Sequence, residues 1–232
     1  MPEFTCINAL VLNAKPLGEA SFILSLFTPE NGRHLGVIKK KQPPEIGTLC
    51  HARWKARLSD QLGSFYLEET KAYAPLLLDD MPRLNVLSCL CALLDKTLPE
   101  RQAYSNLHNK TLELLTKLMA NDFWIQYIRF EVELLAALGL ALDMTTCAGG
   151  GDKNDLGYIS PKTGRAVSHA KGLPYHDKLL KLPKFLWQDV SASNEDLING
   201  LALTGHFLST YLGNLPTARM RLLNDILKEK NG

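Results

Sequence analysis

Several absences in this sequence narrow what it can do. There is no run of about 18 uncharged apolar residues, so no membrane-spanning helix is expected. The Met-Pro-Glu-Phe start has neither a basic n-region nor a long apolar h-region, which argues against a secretory signal. Five cysteines, at positions 6, 50, 89, 91 and 147, form an odd set with no repeated CxxC spacing. Buried thiols in a reduced, cytosolic protein account for them most simply. Walker A, HExxH and GxSxG sequences are missing. Gly149-Gly150-Gly151 follows no clear strand and precedes no clear helix, so a dinucleotide loop is not expected. The acid pairs Asp79-Asp80 and Glu68-Glu69 fit a solvated surface better than a catalytic pair. Cys147, His169 and His176 make a poor ligand set beside the paired spacings that zinc prefers. No catalytic or metal-binding residue is therefore assigned.

What remains is ordinary globular material with one uneven feature. The 232 residues are 46% hydrophobic and 22% charged, enough to bury real cores. The formal charge is only +2, yet Arg33, Lys39, Lys40, Lys41, Arg53, Lys55 and Arg57 fall within residues 33–57 against a single acid, Glu45. From Leu49 to Leu58 the pattern alternates: Cys50, Ala52, Trp54, Ala56 and Leu58 interleave with His51, Arg53, Lys55 and Arg57. Strand side chains alternate between faces, so this segment would place an apolar row on a core and a cationic row on the surface. A cationic row suits a phosphate backbone. It also suits an edge strand protected from aggregation. Trp54 shares its face with the apolar row and is expected in the core. Tyr66 and Phe22 stay open between core and base-stacking roles.

The first seventy or so residues read as β structure. Phe4–Asn13, Ser21–Thr28, Arg33–Lys40, residues 49–58 and Gly63–Tyr73 are five strand candidates. They are separated by turn chemistry at Lys15-Pro16-Leu17-Gly18 and Pro29-Glu30-Asn31-Gly32, and by a loop at Lys41-Gln42-Pro43-Pro44-Glu45. Five short strands in that length fit a small barrel such as the OB-fold, with SH3-like barrels as the competitor. After Pro75 the spacing turns helical. Leu84, Leu87, Cys91, Leu94 and Leu98 mark one helix, and Leu107, Leu114, Leu115 and Leu118 a second. A third is capped near Asn121-Asp122 and ends at Gly139. Residues 145–176 break the pattern with six glycines and two prolines, and hold two short extended pieces around Ser160-Pro161-Lys162-Thr163-Gly164. Helices return near Asn194-Glu195-Asp196 up to Gly213, and from about Thr217 towards Lys228. The fold class is α+β, with a five-stranded barrel over residues 1–76 and a helical domain over residues 77–232.

Certain of these segments resemble the bacterial recombination mediator family RecO. Gly18-Glu19-Ala20 followed by Ile23-Leu24-Ser25-Leu26-Phe27-Thr28-Pro29-Glu30-Asn31-Gly32 is similar to the family's opening. Leu98-Pro99-Glu100-Arg101, Arg129-Phe130-Glu131 to Leu140, Cys147-Ala148, and Tyr211-Leu212-Gly213 followed by Arg219 are similar to later motifs in the same order. The resemblance implies an N-terminal OB-fold and a helical domain with a zinc-finger-like insertion. It implies binding of single- and double-stranded DNA, annealing of strands coated with single-strand-binding protein, and assistance to RecA loading together with RecR, in the bacterial cytoplasm at the nucleoid. Many members hold zinc with four cysteines. Here only Cys147 matches, and the later positions read Ala166-Val167-Ser168-His169, so no zinc or other cofactor is expected.

The expected DNA surface comprises Arg33, Lys39, Lys40, Lys41, Arg53, Lys55 and Arg57, extended by Arg219 and Arg221. The family also binds the acidic, Phe-ended tail of single-strand-binding protein. Arg129 and Phe130 are the candidates for that contact, with an i,i+4 pair between Arg129 and Glu133 as the alternative. The competing function is a non-catalytic protein-interaction scaffold with an OB-like domain.

Overall fold

The Asn31-Gly32 turn shows why the sequence doubles back where it does. Gly32 has φ +63°, and a Cβ there would lie 1.8 Å from the Gln102 carbonyl oxygen. Thr28 closes the turn: its Oγ1 accepts from Asn31 N–H at 3.2 Å and donates to the Gly32 carbonyl at 2.9 Å. Either side of this turn, in the computed structural model, which describes residues 1–229, run two strands in register from Thr28↔Gly32 to Ser21↔Lys39. They are β2 (Ser21–Thr28) and β3 (Gly32–Lys39).

Three further strands complete the barrel: β1 (Glu3–Pro16), β4 (Thr48–Lys55) and β5 (Ser64–Ala72). The order β1-β2-β3-β5-β4 closes on itself. β1 is long enough to serve two neighbours, pairing Glu3–Leu10 with β4 and Leu10–Pro16 with β2. β3 meets β5 through one parallel bridge, Val37↔Ser64. This is the OB-fold barrel, and the five strands lie close to the segments that turn residues delimit in the sequence. Its interior holds Ala9, Val11, Leu24, Leu26, Ile38, Cys50, Ala52, Trp54, Ala56 and Phe65.

Two compact units divide between Leu115 and Thr116. In the first, α1 (Met81–Thr97) and most of α2 (Ser105–Lys117) accompany the barrel. The Asp80 carboxylate caps α1 by accepting from Arg83 N–H at 3.1 Å. α1 packs on the outer wall of β1 and β2, where Asn13 donates to Asp95 at 2.9 Å. The composition change at residues 74–82 thus marks where strands give way to helices, whereas the compact unit continues through two of those helices.

The second unit contains α3 (Phe123–Ala137), a small sheet, and the helices α4 (His169–Gly172), α5 (Asn194–Leu212) and α6 (Thr217–Glu229). The sheet has the order β7-β6-β8, with β6 (Leu156–Ile159), β7 (Ala166–Ser168) and β8 (Leu180–Lys181). Ser193 and Asp196 form a reciprocal capping box that starts α5. Among the described residues no helix is long and apolar enough to cross a membrane.

Candidate nucleic-acid interface

The alternation in β4 is realised. Cys50, Ala52 and Trp54 point into the barrel, while His51 and Arg53 are exposed and Lys55 is half-buried. Trp54 is 3% exposed, stacks on Phe4 with ring centroids 5.6 Å apart, and donates from Nε1 to the Leu62 carbonyl at 3.0 Å. It belongs to the core and offers no face to a base.

The outer wall of β4 and β5 is not uniformly cationic. Arg53 donates to the Glu3 carboxylate on β1 at 2.9 Å. That hydrogen bond and the guanidinium charge hold the Glu3 carboxyl below its ordinary value. His51 lies 3.8 Å from Glu68 on β5, and Lys40 reaches Glu69 at 2.6 Å. Cations of this side without such an ion-pair partner among the described residues include Lys39 at the end of β3, Lys41 just beyond it, Lys55 at the end of β4 and Arg57 in the following loop; Lys71 on β5 also has none and lies over the Tyr73 ring. β3 runs parallel to β5 at the Val37↔Ser64 bridge, and Ser64 also pairs with Lys55. The ends of β3 and β4 therefore flank β5 on one wall. Within the first unit α1 packs on the β1–β2 wall, and the outward residues Tyr66, Glu68 and Glu69 of β5 are exposed, so this unit leaves the β4–β5 wall open.

Arg33 does not join this surface. Its Nε donates to the Leu98 carbonyl at 2.7 Å, and its guanidinium meets Asp95 at 3.6 Å and Glu100 at 3.4 Å. It anchors the end of α1 to β3. The Leu98-Pro99-Glu100-Arg101 segment continues the anchor: Arg101 N–H donates to the Arg33 carbonyl at 2.8 Å. The Arg101 guanidinium donates to the carbonyls of Ser59 and Gln61 and lies 5.7 Å from the Trp54 ring. Arg101 thus fastens the β4–β5 loop that carries Arg57. Sequence reasoning missed this role, since nothing local links position 101 to position 59.

In the second unit, Arg219 overturns its expected place on a DNA surface. Arg219 is 8% exposed and Glu131 is fully buried. Arg219 Nε and one terminal nitrogen each donate to the Glu131 carboxylate at 2.8 Å, and the latter also reaches the Leu201 carbonyl at 2.8 Å. Tyr127 donates to the same carboxylate at 2.6 Å. Gly205 makes room, because a Cβ there would lie 2.7 Å from the guanidinium. Arg221, two residues on, falls on the far side of α6 and is exposed, so the two arginines cannot share a surface. Phe130 is likewise core, at 4% exposure, and is not free to receive a peptide. Arg129 donates to the carbonyls of Phe185 at 2.9 Å and Gln188 at 3.0 Å and meets Asp189 at 3.6 Å, rather than pairing with Glu133. An apolar groove of about 320 Å³ lies instead between α5 and α6, lined by Ile198, Leu201, Leu215, Met220 and Leu223.

The glycine-rich segment holds Cys147 against β7. Its Sγ accepts from Ser168 N–H at 3.2 Å. Burial alone would raise this thiol, but hydrogen bonds from Ser168, Gly151 and Gly149 outweigh it and bring it down to about 7. Ala166 has no donor side chain, the His169 ring packs against Tyr158, and among the described residues no cluster of three His, Cys, Asp or Glu could hold a metal.

A closed five-stranded barrel with one open, partly cationic wall, followed by a helical unit, defines an OB-fold protein with an appended helical domain. The family models for the N-terminal and C-terminal parts of recombination protein O match residues 1–71 and 78–221. A DNA repair protein RecO from Rhodospirillum centenum is 42% identical, over 94% of this chain and 92% of that protein. RecO proteins from Jannaschia sp. and Rhodospirillum rubrum are 40% and 38% identical, over 96% and 93% of this chain. The chain belongs to the RecO family of DNA repair and recombination proteins.

Proposed function

We propose that this chain binds single- and double-stranded DNA without sequence specificity, anneals complementary strands coated with single-strand-binding protein, and assists RecA loading together with RecR. The observation that carries the DNA-binding step is the group Lys39, Lys41, Lys55 and Arg57, which flank β5 on the open wall without ion-pair partners among the described residues. Family membership supports the mediator role.

The mechanism needs no covalent chemistry. Two bare strands repel through their phosphates, and a protein that neutralises both lets complementary bases meet. Phosphate contacts carry no base information, which suits an annealer of any sequence. Lys40 and Arg53 form a second tier. Their partners Glu69 and Glu3 are exposed, and surface ion pairs contribute at most about 1 kcal/mol, so phosphate can displace them. For the acidic, Phe-ended tail of single-strand-binding protein, the α5–α6 groove is the better dock, since it is apolar where Arg129 and Phe130 are already committed.

Strand annealing with strands precoated by single-strand-binding protein tests this. The wild-type chain should accelerate annealing, and a variant with Lys39, Lys41, Lys55 and Arg57 changed to Gln should not. Equal rates with both proteins would remove the open wall from the mechanism and favour an interaction scaffold.

A further inference from the structure

A groove of about 640 Å³ crosses the open wall of the barrel beside the free cations. Its two most exposed apolar walls come from different strands. On β5, Tyr66 stands opposite Arg53 of β4 in cross-strand register and is 64% exposed. On β1, the pairing with β4 slips between Cys6 and Ala9, and Asn8 takes φ +56°. This bulge turns Ile7 outward, where it is 62% exposed. Pro29, Arg53 and His51 are also in the lining. Nothing in the first unit covers either apolar side chain.

The charges around the groove differ from those beyond it. Its lining holds Glu30 and Glu68 beside His51 and Arg53; His51 lies 3.8 Å from Glu68, and Arg53 pairs with Glu3. This balance makes the groove a weaker anion site than the unpaired cations beyond it, since Arg53 can serve phosphate only by releasing Glu3. The unpaired cations Lys39, Lys41, Lys55 and Arg57 lie outside the lining. A site for single-stranded nucleic acid needs this division: a cationic track for the backbone, and an uncharged or balanced recess with an aromatic face for a base. Carboxylates in the recess can also accept from the amino groups on base edges. An acidic peptide would meet Glu30 and Glu68, and a basic one would meet the surrounding cations, so neither fits both zones.

We propose that the groove between Tyr66 and Ile7 is a nucleobase pocket, in which one unstacked base of a single strand lies on the Tyr66 ring while its flanking phosphates follow the cations outside. The proposal rests on the DNA-binding reading above and adds to it a preference that the phosphate track alone lacks. A duplex has no free base to offer. The pocket therefore favours single strands, and occupying it holds a base apart from its neighbours before pairing.

The test compares the wild-type chain, Tyr66→Ala and Tyr66→Phe by fluorescence anisotropy on three probes: a mixed-sequence single strand, the matching duplex, and an abasic strand of the same length. Tyr66→Ala should lose roughly five- to a hundredfold in affinity for the normal single strand, the range that one base–aromatic stack supplies. It should bind the duplex and the abasic strand as the wild-type chain does, and Tyr66→Phe should restore single-strand binding. Unchanged single-strand affinity in Tyr66→Ala, or an equal loss on the abasic strand, overturns the pocket while leaving DNA binding intact. Wild-type protein that binds none of the three probes overturns the DNA-binding reading, and the pocket with it.

Discussion

Arg219→Met separates an interior role for this arginine from a surface one. The wild-type guanidinium places two hydrogen bonds of 2.8 Å on a carboxylate that has no solvent exposure. Removing it leaves Glu131 with the hydroxyl donors of Tyr127 and Thr204 and no countercharge from position 219. It also deprives the Leu201 carbonyl of the 2.8 Å contact from Arg219. Breaking one side of a buried ion pair costs about 3–5 kcal/mol, far above the net value of the pair itself, because the survivor is stranded in a medium that solvates it poorly. For a unit of this size that corresponds to a fall in melting temperature of roughly 10–20 °C. Replacing both partners by apolar residues, Glu131→Leu with Arg219→Met, removes the stranded charge and should recover at least half of the loss. Thermal and urea unfolding followed by circular dichroism reads both variants. Anisotropy well below the melting temperature should find DNA affinity unchanged in Arg219→Met. Wild-type stability combined with weakened DNA binding would refute the interior assignment and return Arg219 to the surface.

Two other perturbations follow from the barrel. His34 is 5% exposed inside a ring of Phe4, Trp54 and Phe65, and neither ring nitrogen has a hydrogen-bond partner. Burial, with a smaller push from the Arg101 charge, lowers its pKa from 6.5 to about 4. The fold therefore prefers neutral imidazole, and between those values the unfolded chain binds more protons, so stability falls as pH drops through 6.5 towards 4. Between pH 7.5 and 5 the wild-type chain should lose about 2 kcal/mol through this group. His34→Phe should lack that component in paired urea titrations, and an unaltered difference between the two pH values would count against the assignment. Gly32→Ala places a Cβ at φ +63° and 1.8 Å from the Gln102 carbonyl oxygen. It should destabilise the barrel by about 2 kcal/mol or more by the same urea measurement, whereas a neutral result would mean that the turn can open without cost.

How much of this was legible in the sequence depended on how local the signal was. Ser21–Thr28 is delimited on one side by Gly18 and on the other by Asn31-Gly32, and the strand fills that interval. The alternation of β4 assigned Trp54 inward and Arg53 outward from period alone. The two-residue strand β8 and the bulge at Ile7 leave no period to read. Arg33 follows the outward phase of β3, and only the end of α1, some 65 residues on, turns that position from surface into anchor. Arg219 did carry a signal that went unused. Leu222 and Ile226 are buried, and positions 219, 222 and 226 share one face of α6, whereas 221 does not. Formal charge suggested a surface, and helical phase pointed inside. Likewise the acids that neutralise Lys40 and Arg53 come from Glu69 and Glu3, on other strands, so a count of cations along the chain overstates the free charge.

The central claim is that Lys39, Lys41, Lys55 and Arg57 hold phosphate. It is tested most directly by the salt dependence of binding to a single-stranded oligonucleotide, measured by anisotropy for the wild-type chain and for the variant with all four changed to Gln. Each single-strand phosphate contact contributes about 0.7 to the slope of log K against log salt, so losing four should flatten the slope by about 2.8 and weaken binding on every sequence alike. The same slope and affinity in both proteins would contradict the account.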